Sequence, residues 1–369
     1  MWEKLKATGK PILLYGMGDG AEKIAAELKK REIPIAGVFA SEGFTRGQEF
    51  MGCPVTDYRT ARERYGEMVV LVCFGTHRPE VMAQIEKLAG EQELYAPDVP
   101  VAGEKIFTRE YAKAHREELE RVYELLADDH SRKVLRDVVE YKLTGDIKLL
   151  RGCESEPREA WESILRPGKE EHYMDLGAYT GDTIAEFIGY AGEWRRITAL
   201  EPDPVTFAKL EKNTAGLHDC ILYRLGAYSR YARLPFAGGA GRGSHLAAGG
   251  AMTELDSVDN ILCGQTVSLI NMDVEGMEAE AIAGMAKTLR RYRPKLLIAG
   301  YHRSEDLWRL PLEVLARGAV KSLVISYHNE LPAGQSAELV LGRDENGGWY
   351  VAGQREDGKP CFEAVLTVE

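Results

Sequence analysis

Short apolar runs alternate with helical spacing through the first hundred residues. "KPILLYGMGDG" reads as a buried strand entering a glycine turn, and "AEKIAAELKKRE" follows with apolar residues at helical spacing. "IPIAGVFA" and "MVVLVCFGT" repeat the strand pattern, "PEVMAQIEKLAG" is helical, and "ELYAPDVPV" predicts a short fourth strand. This repetition predicts a parallel sheet with helices on its faces.

The pattern changes between about Gly103 and Gly152. Leu119, Val122, Leu125, Leu126, Val134, Leu135, Val138 and Val139 form apolar stripes in a charged background. Such stripes need cover, which predicts a helical connector packed between two domains rather than a solvated linker.

A second alternating region begins near Glu170. Its predicted strands are "HYMDLGA", "RRITALEP", "CILYRLGAYS", "TVSLINMDVEG" and "PKLLIAGYH". "DTIAEFIGYAG", "PVTFAKLEKNTAG" and "EAEAIAGMAKTLRRY" are helices between them. "FAGGAGRGSHLAAGGAMTELDSVDN" predicts a glycine-rich loop with a short hairpin. After the helix "DLWRLPLEVLARG" come strands "VKSLVISYH" and "SAELVLGR", then a final hairpin. The chain therefore divides into an α/β domain over 1–103, a connector over 104–169, a second α/β domain over 170–345 and a hairpin over 346–369.

The length of 369 residues suits two or three domains. A net charge of -11 argues against broad nucleic-acid binding, which needs clustered cations. No apolar run approaches the roughly 20 residues that span a bilayer. The start, "MWEKLKATGK", lacks the apolar core of a secretion signal, which points to the cytoplasm. Six scattered cysteines form no CxxC pair. They read as buried free thiols in a reducing compartment, not as a structural zinc site.

The chemistry concentrates in "YMDLGAYTGDTIAEF". A strand ending at Asp175 meets Gly177, Ala178, Tyr179 and Gly181, and a helix opens at Asp182 and Thr183. In an open parallel sheet, ligands bind beyond the carboxyl ends of the strands, near the point where strand order reverses. Small residues there let backbone amides approach a ligand. The spacing D-x-G-x-Y-x-G departs from the dinucleotide form G-x-G-x-x-G. A carboxylate at Asp175 would repel a pyrophosphate and suits a cation, such as the amino group and sulfonium of S-adenosylmethionine. One strand–helix–strand unit later, "ALEPDP" places Glu201 to accept both ribose hydroxyls, with Pro202 fixing the turn. Gly226 and Ala227, ending the third strand, would admit adenine. The plainer alternative makes Asp175 and Asp182 helix caps and Glu201 a solvated acid; the joint order favours the ligand.

Asp273 and His302 end the fourth and fifth strands, facing the donor. Removing a hydroxyl proton needs a base or a metal. His302 suits the base. Asp273 orients that base, accepts from the substrate, or touches the donor amino group. Glu275 would assist and Arg303 would hold a polar acceptor, while Glu275 and Glu278 alternatively dress a helix N-terminus. Magnesium on Asp273 is compatible with the spacing and not demanded by it, so no metal ligand set is assigned.

"YMDLGAYTGDT", "ALEPDPVTFAKLEKN", "INMDVEGMEAEAIAGM" and "PKLLIAGYHRSEDLWRLP" together resemble the FkbM family of S-adenosylmethionine-dependent methyltransferases, from about Tyr173 to His328. The resemblance implies a class I methyltransferase fold, Rossmann-like and doubly wound, and methyl transfer to a hydroxyl, often on a sugar or glycosylated product. It implies Asp175, Gly177, Ala178, Gly181 and Glu201 as donor-binding residues and Asp273 and His302 as active-site residues. Asn271 departs from it, since relatives often carry lysine there, and residues after Gly334 match poorly. A protein that holds the donor or a nucleotide-sugar without transfer is the alternative.

The first domain resembles the small Rossmann-like modules of sugar-modifying transferases. Gly16, Gly18 and Gly20 fit a phosphate turn loosely, and the next strand ends in "VFAS" with Glu42 arriving late, so NAD is disfavoured. Arg46, His77 and Arg78 would face a phosphorylated ligand; the alternative is a scaffold or homodimerisation role.

Overall fold

The computed structural model describes residues 1–327 and 337–342, apart from 42, 77, 154–156, 238–244, 247–249 and 319. Strands β1 (Ile12–Tyr15), β2 (Gly37–Phe39), β3 (Glu49–Phe50), β4 (Cys53–Thr56), β5 (Val69–Val72) and β6 (Glu93–Tyr95) form a six-stranded sheet in the order β3-β4-β2-β1-β5-β6. All its pairs are parallel except β3 with β4. The β3–β4 pair was not predicted. Only Val55 of β4 is buried, so the segment carries almost no apolar period.

Helices occupy Arg109–Ala114, Arg116–Leu125, Asp129–Thr144 and Ile147–Gly152, as the stripes predict, and helix resumes over Pro157–Glu159 and Ala160–Leu165. Seven of the eight stripe residues are buried, and Leu125 is half-buried. They join the core that runs from the first sheet to the second. Aromatic rings seal the junction: Phe107, Tyr111 and His115 all lie against Trp308, with His115 stacked on it at 4.7 Å.

The second sheet contains β7 (His172–Leu176), β8 (Arg196–Leu200) and β9 (Cys220–Tyr223). A small four-stranded sheet follows, made of β10 (Gly226–Ala227), β11 (Ala232–Ala237), β12 (His245–Leu246) and β13 (Ala251–Asp256). The chain then returns through β14 (Leu269–Met272), β15 (Lys295–Ala299), β16 (Ser322–Tyr327) and β17 (Ala337–Gly342). The order is β17-β16-β15-β14-β7-β8-β9, parallel throughout except that β17 runs antiparallel to β16. Strand order reverses between β7 and β14, the topological position at which such sheets bind ligands. Strands β7 and β14 are buried along their whole length, as expected for a sheet covered on both faces.

Two local expectations change. The helix "EAEAIAGMAKTLRRY" is split into Glu278–Gly284 and Ala286–Tyr292 around Met285. Of the cysteines, Cys73 and Cys153 are buried, Cys53 and Cys220 half-buried, and Cys263 exposed; Cys361 lies outside the described residues. So do Glu42, His77, His328 and the predicted hairpin over 346–369. No helix among the described residues is long and apolar enough to cross a membrane.

Candidate functional site

Strand β7 places Asp175 beside Asn271 of β14, directly at the switch point. Its carboxylate is fully buried. Asn271 Nδ2 donates to one oxygen at 2.9 Å and Thr183 Oγ1 to the other at 2.5 Å. Burial pushes its pKa up to about 6, against the pull of those two donors. Asp175 is therefore an interior group here, not an open wall of the crevice. Asn271 is its partner.

The glycine turn also differs from expectation. Gly177 N and Ala178 N both donate to Leu200 O, at 3.0 and 2.9 Å, and Gly181 N donates to Ala178 O at 2.8 Å. These amides dock the turn onto the end of β8 and are not offered to a ligand. The missing side chain of Gly177 serves the same packing. Its φ is +86°, and a Cβ would lie 1.8 Å from the Asp273 carbonyl oxygen. Likewise a Cβ on Gly226 would strike Leu255 at 2.4 Å, so that glycine makes room for the core rather than for adenine. Ala227 is buried in β10 against β13.

Glu201 follows β8 and is 7% exposed. One oxygen accepts from Tyr179 N at 3.0 Å and the other from Asp203 N at 2.8 Å. The carboxylate thereby ties the β7 turn to the β8 turn. Tyr179 adopts a left-handed φ of +47° to make that bond. Burial raises the Glu201 pKa to about 7, with Asp203 and Asp175 pushing the same way and the two amides opposing. Pro202 is half-buried beside it, and Asp203 caps the next helix through Val205 N and Thr206 N.

Asp273 extends β14, and its backbone N donates to Leu176 O at 2.9 Å. Its side chain is 41% exposed. Tyr301 donates its hydroxyl to Asp273 Oδ2 at 2.9 Å. Two residues on, Glu275 (φ +55°) and Gly276 (φ +90°) reverse the chain and return it toward His302. His302 is 1% exposed. Its Nε2 lies 3.4 Å from Asp273 Oδ1 and 3.5 Å from Glu275 Oε2, and its Nδ1 lies 3.0 Å from Glu278 Oε1. Glu278 is fully buried and also accepts from the backbone of Val274 and Gly276.

Burial alone would lower the His302 pKa; the charges of Glu278, Glu275 and Asp273 outweigh it and hold the ring well above its ordinary value. Glu278, where burial would favour the neutral acid, is conversely kept ionised by His302. An imidazolium has no lone pair to accept a proton. The sequence-based assignment of His302 as a free base therefore does not match its surroundings, whereas the more exposed Asp273 retains that capacity. Arg303 is also committed: its Nε donates to Gly276 O at 2.7 Å and braces the loop instead of facing an acceptor.

The sequence reading missed Tyr301, although it adjoins His302, and read Glu278 as surface dressing. It also missed a strap from the first domain. Ala102 N donates to His302 O at 2.9 Å, and Ser304 Oγ donates to Lys105 O at 2.7 Å.

In the first sheet, the turn after β1 lines a cavity of about 290 Å³ with Asp98, Tyr141, Lys142 and Tyr301. Arg46 and Arg78 are not among its lining residues; Arg78 pairs with Glu80 on the surface. A Cβ on Gly20 would strike the Cys73 carbonyl at 2.4 Å, so helix Asp19–Lys30 packs directly on the end of β5.

The described fold matches solved structures. A methyltransferase FkbM from Methylobacillus flagellatus KT superimposes with a TM-score of 0.67 over 92% of each chain, at 19% identity. A precorrin-6y C5,15-methyltransferase from Geobacter metallireducens GS-15 matches over 48% of this chain and 83% of its own, at 13% identity and a TM-score of 0.31. Fibrillarin from Aeropyrum pernix, solved with natively bound S-adenosyl-L-methionine, covers 50% and 70%, at 12% identity and a TM-score of 0.31. No curated protein matches the sequence. The methyltransferase FkbM domain family matches residues 175–317, a span that opens on the buried aspartate and closes beyond the His302 loop. The second sheet is accordingly a class I methyltransferase fold, and residues 175–317 are similar to the methyltransferase FkbM domain.

Proposed function

We propose that this protein transfers a methyl group from S-adenosylmethionine to a hydroxyl oxygen, on a sugar or a glycosylated product. Glu201 carries the reading. Each of its oxygens accepts one backbone amide and keeps a further lone pair, so the carboxylate can accept two neighbouring ribose hydroxyls without losing its support. The residues fit a cationic nucleoside: Glu201 and Asp273 make the switch point acidic, Gly177, Tyr179 and Pro202 wall the crevice, and Ala178 and Gly181 are buried behind them. Asp175, with Thr183, supports that wall from behind; Ala227 lies at the end of the next strand.

S-adenosylmethionine supplies an activated methyl on a sulfonium, so the protein's task is alignment and proton removal. Asp273 is the catalytic residue in this reading. Its Oδ2, which also accepts from Tyr301, accepts the hydrogen bond of the attacking hydroxyl and takes the proton as the oxygen–carbon bond forms and the sulfur–carbon bond breaks. Tyr301 and His302 fix the carboxylate. Residues 1–103 and the connector 104–169 act as units that brace the catalytic loop of 170–345. The buried thiols of Cys73 and Cys153 suit a reducing cytoplasm.

The test is single-turnover transfer from labelled S-adenosylmethionine to a panel of glycosides and glycosylated products, with wild type and Asp273→Asn. Transfer by wild type, lost in the variant while donor binding persists, is the expected result. Donor binding without transfer to any hydroxyl would overturn it.

A further inference from the structure

Four carboxylates surround one imidazole at the end of β14. Asp273 and Glu275 face Nε2 of His302, Glu278 faces its Nδ1, and Asp306 groups with Glu278 and the ring. The nearby guanidinium of Arg303 is turned to a backbone carbonyl.

The Nε2 side has the form of a metal site. Distances of 3.4 and 3.5 Å from Nε2 to the two carboxylates are long for hydrogen bonds. They come close to the spacing of donors around a divalent ion with bonds of about 2.1 Å, about 3.0 Å between neighbouring donors of an octahedron and about 3.4 Å in a tetrahedron. All three ligating atoms lie within 4.8 Å of one another. His302 is a buried side chain with Nε2 aimed into this group. Its other nitrogen meets Glu278, the outer carboxylate that characteristically orients a ligating imidazole. Glu278 is itself fixed by two backbone amides. The alternative grouping of Glu278, His302 and Asp306 is sealed, with every member at most 1% exposed. Asp273 Oδ1 is itself buried, but its side chain and that of Glu275 are 41% and 23% exposed, which marks the side from which an ion would enter.

We propose that Asp273, Glu275 and Nε2 of His302 bind a divalent first-row cation, with Glu278 as the positioning residue behind the ring. Two hard carboxylates with one imidazole suit Mn²⁺. The ion displaces the proton from Nε2, and the Nδ1 proton stays directed at Glu278. Its open positions face the crevice. There the ion would hold an acceptor hydroxyl and lower its pKa, a role that rests on the methyl-transfer reading, although binding of the ion does not.

The test uses the full chain, stripped with chelator and titrated with Mn²⁺ without methyl donor or acceptor. Free Mn²⁺ is followed by electron paramagnetic resonance. One ion per chain is expected. Glu275→Gln and Glu278→Gln should each weaken binding about 10- to 100-fold. Asp306→Asn should leave it unchanged. Folding of each variant is checked by circular dichroism. Independently of any variant, Mn²⁺ on wild type labelled with ¹⁵N-histidine should show coupling to one imidazole of the eight histidines. No uptake at millimolar Mn²⁺, or uptake without imidazole coupling, would overturn the proposal. A loss confined to Asp306→Asn would overturn the assignment to Nε2. Because no transfer is measured, absence of the ion leaves the methyl-transfer reading standing, and absence of transfer leaves the ion site standing.

Discussion

The turn after β1 and the turn after β7 follow one plan. Gly16 N donates to Phe39 O, the last carbonyl of the neighbouring strand, at 2.9 Å; Gly177 N donates to Leu200 O, the equivalent carbonyl, at 3.0 Å. Both glycines have positive φ, +111° and +86°, and a helix follows each turn. Both adjoin the strands between which their sheet reverses order. The contents then diverge. After β8 comes Glu201, whose carboxylate reaches back to Tyr179 N. After β2 come Ala40 and Ser41, and the serine hydroxyl meets Tyr15 at 2.5 Å. The space beside Gly16 is filled by the ring of Phe74, that beside Gly177 by the backbone of Asp273. The turn is a device for closing a parallel sheet, and chemistry enters only with the acid on the next strand.

The comparison breaks most readily at the glycines. Gly177→Ala sets a Cβ against rigid backbone at a left-handed φ, and a loss of more than about 4 kcal/mol is expected. Gly18→Ala, with nothing within 4 Å, should lose only about 1–3 kcal/mol from its positive φ. Thermal melts of the two variants compare them, and equal losses would show that the two turns are under the same constraint. Removing the interior partner comes next. Asn271→Ala leaves Asp175 buried with one donor fewer and should lose about 1–3 kcal/mol in chemical denaturation.

Binding separates the turns more finely. Glu201→Ala should weaken S-adenosylmethionine by about 1–3 kcal/mol in calorimetry, while Ser41→Ala leaves it unchanged. Affinity unaltered by Glu201→Ala would remove the acid from the site. The smallest effect is on pH. Only ionised Glu201 accepts two hydroxyls, and its pKa is about 7, so affinity should rise between pH 6 and 8 by about tenfold at most. Glu201→Gln should flatten that rise. The sign for stability is opposite. The folded chain keeps a proton that the unfolded chain releases above its ordinary pKa of 4.5, so Glu201 makes folding less favourable as pH climbs from 4.5 toward 7.

The sheets were legible because β1 and β5 are continuous apolar runs, and β7 and β14 are largely apolar runs that lead into Gly177 and Asp273. The connector was legible from Leu119 to Val139 because its stripes follow the helical period. β4 was not, since a strand with one buried residue has no pattern to read. At the site, the positions of Glu201, Asp273 and His302 at strand ends followed from topology. The state of His302 did not, because it depends on Glu278 and Glu275 converging from a reversed loop. Nor did the use of the Gly177 and Ala178 amides, since a sequence shows that a turn is tight and not which way its N–H groups face.

The ribbon from Ala102 to Lys105 fastens the front of the molecule to the loop that carries His302. A Cβ on Gly276 would lie 2.5 Å from that of Ala102, so the two segments touch without any intervening side chain. An exchange of the front module between relatives would therefore succeed only if this short ribbon travelled with the recipient half. Cut on its far side, the reacting centre would lose one of its own walls.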